Sequence, residues 1–328
     1  MSASTLRTVD PVSPSHEPSP ASGDASLGAT AGSAATAASG GAAAPDGASA
    51  AGGAAASATH AGRRRTLRPG VVLSALVLLL ALAWALLPQL FAGQSPTATV
   101  GPALQAPSAA HWFGTDSTGR DLYTRVVHGA SHSILAATVA VAVGLIAGTT
   151  LGVIAGSLGG LVEDAIMRLV DVLLAIPGLL LSLSVVILLG FGTTNAAIAV
   201  GVTSIATFAR LSRSRVLAVR RSEYVEAAFG SGGTLPGILW RHVLPNSAAP
   251  VVALAALQLG SAILQISTLG FLGYGAPPPT PEWGLLIAEG RDYVATAWWL
   301  TLLPGLVVAA VVLATNRLSS AIGQEDQA

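Results

Sequence analysis

The chain has no cysteine and no lysine, and only 10% of its residues are charged. Without cysteine it has no disulfides, no thiolate metal ligands and no thiol nucleophile. Without lysine it cannot form the usual phosphate-binding loop, because the Gly-x-x-x-x-Gly-Lys sequence needs the lysine to reach the phosphates of a nucleotide. We therefore expect no cofactor on this chain, and if ATP and Mg²⁺ take part in its activity, they bind to another polypeptide.

The charges that are present are balanced, since 16 Arg residues face 16 Asp and Glu residues. A net charge of zero gives no reason to expect nucleic acid as a partner. Hydrophobic residues instead make up 52% of the chain, and the mean hydropathy is +0.66. Long uncharged apolar stretches of this kind are typical of a membrane protein.

Six apolar stretches are long enough to cross a bilayer as helices, because a hydrocarbon core of about 30 Å requires about 20 helical residues. The sequence therefore predicts an all-α polytopic membrane protein that contacts membrane lipid. Pro177 is expected to kink the third of these helices. The predicted spans are residues 71–92, 132–156, 165–189, 196–214, 248–272 and 298–317.

The distribution of arginine predicts the orientation of the chain. With the N-terminus in the cytoplasm, 13 arginines lie on the cytoplasmic side and only Arg120, Arg125 and Arg291 lie on the other side. The opposite orientation reverses these counts and violates the positive-inside rule. We therefore expect a multi-pass protein of the cytoplasmic membrane with both termini in the cytoplasm.

The first segment of the chain differs in composition from the rest. It is rich in Ala, Gly, Ser and Pro, and such a segment buries too little apolar surface to offset its chain entropy. We therefore expect a disordered cytoplasmic tail there. The predicted organisation is this tail at 1–62, an N-terminal transmembrane helix at 63–92, an extracytoplasmic loop at 93–130, a transmembrane core at 131–318 that includes a cytoplasmic loop at 215–246, and a cytoplasmic C-terminal tail at 319–328.

The largest charged island of the chain, Arg210 to Asn246, separates the fourth and fifth predicted spans. Within it the sequence predicts a short helix over 221–229, which the glycines at 230, 232 and 233 can end because glycine adopts the left-handed conformation freely. Thr234 is placed to cap a second short helix. We expect Pro245 to end that second helix.

The same island contains the sequence EAAFGSGGTLPGILWRHVLPN. It resembles the EAA loop of ATP-binding-cassette import permeases, at the spacing of that family. The resemblance implies that the loop carries the coupling helix which docks on a separate ATPase subunit. An ordinary cytoplasmic loop is the alternative interpretation. The matching residues are Glu226, Ala227, Ala228, Gly232, Leu244 and Pro245.

Two further segments resemble the dipeptide, oligopeptide and nickel branch of these permeases, and the whole resemblance covers about residues 69–318. One contains HWFGTD followed by GRD, and the other contains a Pro-rich turn, PEWG and EGR. The charges of the first segment predict a structural network that fixes the extracytoplasmic loop, with substrate contact as the alternative. Their spacing with His111 is poor for a metal site. The residues are Asp116, Gly119, Arg120, Asp121 and Arg125.

Three of the predicted spans carry patterns on one helix face. In the second span, glycine recurs at 144, 148, 152 and 156, which predicts close packing against another helix. In the third, Arg168 is spaced for local ion pairs with Asp164 and Asp171. In the fifth, four polar residues share a face and either bond between helices or line a substrate pathway, and the sequence leaves both open. These four are Gln258, Ser261, Gln265 and Thr268.

The resemblance implies a permease subunit of an ATP-driven importer, with one N-terminal helix before a five-helix core. It implies small peptides as cargo, with nickel chelates or other small solutes as the alternative, and movement by alternating access. It implies as partners a second, similar permease subunit, two ATPase subunits and an extracytoplasmic substrate-binding protein. An ion-gradient-driven carrier and a membrane-embedded enzyme are alternatives from other classes. The sequence offers no catalytic residues for the enzyme and no acid deep in a span for a proton-driven carrier.

Overall fold

The computed structural model describes residues 69–325, and the predicted tail at 1–62 lies outside them. Regular structure in the described part is helical apart from two isolated bridges. The helices are α1 (Pro69–Leu86), α2 (Pro88–Phe91), α3 (Leu122–Leu158), α4 (Gly160–Ala175), α5 (Gly178–Leu189), α6 (Thr193–Arg220), α7 (Glu223–Gly230), α8 (Leu235–Ile238), α9 (Leu244–Phe271), α10 (Trp283–Gly290) and α11 (Trp299–Glu325).

The membrane spans follow from the length and composition of these helices. Five helical segments are long and apolar enough to cross a membrane, namely α1, α3, α6, α11 and a continuous helix Pro236–Phe271 that includes α9. The bent pair of α4 and α5 brings the number to six if the pair counts as one span. The all-α polytopic fold is therefore confirmed.

The third predicted span, 165–189, is two helices and not one kinked helix. The axes of α4 and α5 are bent by 99° at the break between them. Ile176 there has an extended backbone, with φ −89° and ψ 130°. The pyrrolidine ring of Pro177 disfavours helical geometry at the residue before it, so the helix ends at Ala175 and a new one begins after the proline.

The helices α3 and α6 form the closest pair in the bundle. The predicted glycines of α3 lie against α6, as expected for packing through small residues. A Cβ added to Gly148 would lie 2.4 Å from the carbonyl oxygen of Ile205, and one added to Gly152 would lie 2.4 Å from that of Ala209. Only glycine leaves room for the two backbones to meet at this distance.

Ion pairs attach α4 to α6. Arg213 donates from Nε to Glu163 at 2.6 Å, and Arg210 donates to Asp171 at 2.7 Å. Among the described residues Arg168 pairs with neither Asp164 nor Asp171, so the prediction of local ion pairs is wrong. Because α6 packs beside α4, the guanidinium groups of Arg210 and Arg213 reach the carboxylates of α4 across the helix interface. Spacing along α4 alone does not reveal these pairs.

Hydrogen bonds define the two ends of the bundle. At one end, Arg220 at the end of α6 donates to the carbonyl oxygens of Gly156 and Ser157 near the end of α3, both at 2.7 Å. At the other end, the indole of Trp283 in α10 donates to the carbonyl oxygen of Val126 at the beginning of α3, at 3.0 Å. We call the first end, which lies beside the loop at 215–246, the coupling end. We call the second end, where α10 lies, the cap end.

Candidate coupling loop and substrate face

The loop after α6 contains the first predicted short helix. Its observed form is α7, Glu223–Gly230, against a predicted range of 221–229. The backbone N–H of Gly233 donates to the carbonyl oxygen of Ala228 at 3.1 Å and closes the helix. Gly232 has a φ of +86°, in the left-handed region that glycine adopts without strain. The predicted glycine stop is therefore present.

The second predicted helix does not end at Pro245. A π-helical turn, Leu239–Val243, instead joins α8 to α9, so that one helix runs from Pro236 to Phe271. In this turn the N–H of Leu244 donates to the carbonyl oxygen of Leu239, five residues back. The wider turn lets the helix continue past a proline that has no N–H to donate.

Buried aliphatic side chains fix the loop at 215–246, which we call the coupling loop after its predicted role, to the bundle. Val225 in α7, Ile238 in α8 and Val243 in the π turn are buried together with Val216 of α6. Half-buried side chains of α3 and α6 complete this cluster, among them Val153. The loop is therefore packed onto the coupling end as part of the bundle.

The outer surface of the loop remains open. Glu226 and Ala227 are exposed, and Ala228 is half-buried. Tyr224 is 47% exposed and Trp240 is 76% exposed. Sequence reasoning did not single out these two aromatic residues, although large aromatic side chains within a charged loop are a usable signal of a contact surface. Of the remaining motif residues, Leu244 is half-buried and Pro245 is exposed.

The four polar residues of α9 are all half-buried, but their contacts differ. Gln258 donates to the hydroxyl of Ser204 in α6 at 3.4 Å and so bridges two helices. Gln265 donates to the carbonyl oxygen of Ser261 at 3.5 Å, and Thr268 bonds to a carbonyl one turn back, so these bonds stay within α9. Gln265 also lies beside the beginning of α5, since a Cβ on Gly178 would be 3.9 Å from its amide oxygen.

The cap end contains a charge network centred on a buried arginine. Arg125 of α3 is fully buried and pairs with Asp116 at 2.8 Å and with Glu289 of α10. Arg120 donates to the same carboxylate of Asp116 at 2.6 Å. Burial raises the pKa of Asp116, but hydrogen bonds from the backbone N–H groups of Arg120 and Thr118 and from their side chains outweigh it, so the net pKa is lowered.

Two predicted members of this network have separate roles. Asp121 accepts the N–H of Thr124 at 2.8 Å as the cap of α3 and pairs with His111 at 2.9 Å. Gly119 has a φ of +77°, and a Cβ there would lie 2.2 Å from the carbonyl oxygen of Gly101. Glu289 takes a place in the network that the sequence did not assign to it. Within residues 69–325, no three His, Asp or Glu side chains are grouped to hold a metal ion.

Glu282, which sequence reasoning also missed, is the cap of α10. Its side chain is fully buried and accepts the N–H groups of Gly284 at 3.1 Å and Leu285 at 3.3 Å. Burial raises the pKa of Glu282 to about 7 in spite of these two hydrogen bonds. The PEWG sequence contains this carboxylate, but its burial is visible only in the folded chain.

Comparison with known proteins finds relatives that align with 66–77% of the chain. The dipeptide transport system permease protein of Alkalihalophilus pseudofirmus is 42% identical over 219 residues, 67% of this chain and 72% of that protein. The probable D,D-dipeptide transport system permease protein of Escherichia coli K12 is 40% identical over 255 residues, 77% of this chain and 86% of that protein. The glutathione transport system permease protein of Pectobacterium atrosepticum is 39% identical, over 66% of this chain and 72% of that protein.

Among solved structures, the inward-facing MetNI methionine ABC transporter aligns with 60% of this chain and 96% of its own, at 18% identity and a TM-score of 0.49. The sequence pattern of a permease family matches residues 148–324 of the 328-residue chain. Because this match and the identity of about 40% to full-length permeases agree, the chain belongs to the family of binding-protein-dependent transport system inner membrane components.

Proposed function

We propose that this permease subunit moves small peptides across the cytoplasmic membrane as part of an ATP-driven importer. Membership of the family makes it a membrane permease component that works in a complex with ATPase subunits, where ATP is hydrolysed. The peptide substrate is supported by the relatives, which are named as transporters of dipeptides, D,D-dipeptides and glutathione. All three names describe short peptides.

The construction of the coupling loop is the observation that carries the proposal. Val225, Ile238 and Val243 bury the inner side of the loop against α3 and α6. On the outer side of the loop, Glu226 and Tyr224 are exposed. A surface that is rigidly attached to the bundle and open on the other side suits the transfer of a displacement from an ATPase subunit to the transmembrane helices.

The proposed complex contains this chain, a second and similar permease subunit, two ATPase subunits that bind ATP and Mg²⁺, and an extracytoplasmic substrate-binding protein. In this arrangement the coupling end lies in the cytoplasm, as do both termini. The cap end lies outside and receives substrate from the binding protein. The excess of arginine in and around the coupling loop supports this orientation.

The polar face of α9 is the proposed border of the substrate path, with Gln265 as its central residue. A path for peptides must offer hydrogen bonds to amide groups without holding them tightly. Neutral amide and hydroxyl side chains do this at a lower desolvation cost than charged ones. Gln265 suits this role because its hydrogen bond to Ser261 is long and stays within the helix.

Uptake by the complete complex in sealed liposomes tests the proposal. We expect radiolabelled dipeptides to enter only when the binding protein is outside and ATP is on the side of the ATPases, and an ionophore to leave uptake unchanged. Uptake that an ionophore abolishes would identify an ion-gradient-driven carrier instead. Uptake of a nickel chelate but of no peptide would establish the alternative substrate.

A further inference from the structure

The short helix α10 closes the cap end by packing between α3, α9 and α11. Trp283, its first residue, is fully buried and makes two hydrogen bonds to α3. Its backbone N–H donates to the hydroxyl of Ser133 at 3.1 Å, and its indole donates to the carbonyl oxygen of Val126 at 3.0 Å. The residue before it, Glu282, is therefore held at the point where α10 enters the bundle.

Two glycines, Gly270 and Gly275, leave the space that the Glu282 carboxylate occupies. A Cβ on Gly270, near the end of α9, would lie 2.3 Å from Oε2 of Glu282, and one on Gly275 would lie 2.8 Å from the same atom. Both positions thus leave space that the carboxyl group fills. The carboxyl group lies against the backbone of α9 and has no exposed surface while α10 is in place.

The surroundings of Glu282 supply no compensating charge within the described residues. The α9 helix has no ionisable residue, α11 has none before Arg317, and the connecting loop has only Tyr274. On α3, Arg125 is committed to Asp116 and Glu289. The other ionisable groups of these segments are Tyr123, packed against Phe113, His128, bonded to the carbonyl oxygen of Ala92, and His132, beside Ser131. After α10 come the pair Arg291 and Asp292, and Tyr293.

We propose that Glu282 is a proton-controlled latch whose neutral form holds α10 against α9 and whose ionised form favours the departure of α10, which brings the carboxylate into water. This inference rests on the proposed function, because alternating access requires the cap end to open. Acidic conditions at the cap end then hold the permease closed on that side. Neutral or basic conditions ease the opening through which substrate enters.

The sign and size of the effect follow from proton linkage. Burial raises the pKa of Glu282 from 4.5 to about 7 in the docked form, so the docked form binds the proton more tightly than a solvated one. This stabilisation of docking is fully present below the ordinary pKa and is lost as the pH rises to about 7. Between about pH 6 and pH 8 the equilibrium should shift about tenfold towards the undocked form.

Because the chain has no cysteine, a single introduced thiol can report the movement of α10. Leu286 in α10 is 2% exposed, and Leu286→Cys should react with a maleimide only when α10 lifts. Ala109→Cys, at an exposed position of the loop before α3, reports the intrinsic pH dependence of the thiol. In the assembled complex without nucleotide or peptide, we expect the ratio of the two rates to rise about tenfold between about pH 6 and pH 8.

Glu282→Gln should abolish this rise, whereas Asp292→Asn, a change at an exposed carboxylate of the same segment, should retain it. A flat ratio in the chain that keeps Glu282 would overturn the proposal, and this arm needs no variant of the glutamate. An equal rise in Glu282→Gln would overturn it too. Since labelling needs no transport, failure of peptide uptake would leave this result standing.

Discussion

Gly232 is the residue of the coupling loop whose backbone conformation is most restrictive. Its φ of +86° suits glycine, and a residue with a branched side chain would be strained there by about 1–3 kcal/mol. We expect Gly232→Val to shift the loop between α7 and α8 and to lower ATP-driven uptake at least several-fold, while ATP hydrolysis persists. Uptake and hydrolysis are measured together on the assembled complex, at equal membrane abundance.

Gly230→Val is the matched control for this variant. A Cβ at Gly230 would meet nothing within 4 Å, and its φ is not positive. Both changes place valine in the same loop, but only Gly232→Val puts a branched side chain at a residue with a positive φ. If Gly232→Val transports as well as Gly230→Val does, the loop does not couple ATP hydrolysis to transport.

Arg125 is the residue on which the cap end depends for its charge balance. Replacing it by methionine keeps the bulk of the side chain but leaves Asp116 and Glu289 without their buried cation. Removing one partner of a buried ion pair typically costs about 3–5 kcal/mol. We expect Arg125→Met to lower the thermal stability of the purified permease strongly, as measured by loss of monodisperse protein on heating.

The comparison for Arg125 is a pair on the surface of the same end. Arg291 and Asp292 are 60% and 77% exposed and lie 3.4 Å apart. An exposed pair contributes about 0–1 kcal/mol, so Arg291→Met should leave the melting temperature nearly unchanged. Equal effects of the two methionine variants would show that the network around Arg125 is not a stabilising one.

The sequence allowed part of this residue-scale picture to be predicted. The charges of the segment after HWFGTD predicted a network that includes Asp116, Arg120 and Arg125. The sequence could not assign Glu289 to this network, because its carboxylate belongs to α10 and lies 164 residues after Arg125 in the chain. Nor could it show that Asp121 would cap α3, since a cap depends on where the helix begins.

At the scale of helices, α3 and α6 are packed closely enough for a single methyl group to matter. A Cβ on Gly148 would lie 2.4 Å from the carbonyl oxygen of Ile205 and 2.6 Å from Cβ of Phe208. Even alanine there must push the helices apart, at a cost of about 1–3 kcal/mol. We therefore expect Gly148→Ala to lower the melting temperature and the amount of folded protein in the membrane.

Gly305 in α11 provides the opposite case for the same substitution. A Cβ there would meet nothing within 4 Å, and its φ is not positive. Replacing such a helical glycine by alanine stabilises a protein by about 0.4–1 kcal/mol, mainly through the unfolded chain. A melting temperature that falls equally in Gly305→Ala and Gly148→Ala would contradict the role of the glycine ladder.

The polar face of α9 can be divided into packing and transport by two substitutions. Gln258 bonds to Ser204 of α6, so Gln258→Leu should lower thermal stability by about 0.6 kcal/mol, the mean for such bonds in membranes. Gln265 bonds within its own helix, so Gln265→Leu should instead alter the rate of uptake or the preference among peptides. Thermal stability and uptake of a panel of peptides are measured for both variants.

The outcome that counts against a substrate path is equally definite. If Gln265→Leu is less stable yet transports every peptide as before, the residue serves packing alone. The path would then have to follow other helices. If Gln258→Leu changes substrate preference but not stability, Gln258 borders the substrate path, and its hydrogen bond to Ser204 is not needed for packing.

Helix boundaries near proline were the least predictable feature at this scale. Pro177 and Pro245 both lie within or beside long apolar runs, yet one separates two helices bent by 99° and the other lies inside one continuous helix. The two sites differ in the backbone conformation of the residues before each proline. Ile176 is extended, whereas the π turn before Pro245 provides a hydrogen-bonding pattern that accommodates the missing N–H. Local sequence does not fix which of these responses the chain adopts.

For the whole molecule, the segment 1–62 remains a prediction, since it lies outside the described residues. We expect its deletion to leave membrane abundance and peptide uptake unchanged, provided that Arg63 to Arg68 are kept beside the first span. Those charges favour a cytoplasmic N-terminus. Replacing the four arginines of that cluster by alanine in the shortened chain should lower the fraction of correctly oriented protein, as judged by protease access.

A loss of uptake in the shortened chain at equal abundance would show that the segment takes part in transport. The all-α polytopic architecture, by contrast, was predictable, because apolar length is a property of stretches of about twenty residues. What sequence could not supply is the burial of single polar groups such as Glu282. Its environment depends on Gly270 and Gly275, which meet it only after α9 and α10 have packed together.

The length of α3 has a mechanical consequence for the molecule. Its 37 residues form a rod about 55 Å long, well beyond the thickness of a bilayer core. Arg220 donates to its carbonyl oxygens at one end, and Trp283, together with Asp116 and Glu289, which pair with Arg125, contacts it at the other. A tilt of about 10° about its centre would carry each tip sideways by about 5 Å, in opposite directions. We therefore expect α3 to act as a lever in the proposed transport cycle, so that a displacement of the coupling loop would reach the cap end without any change in the fold between them.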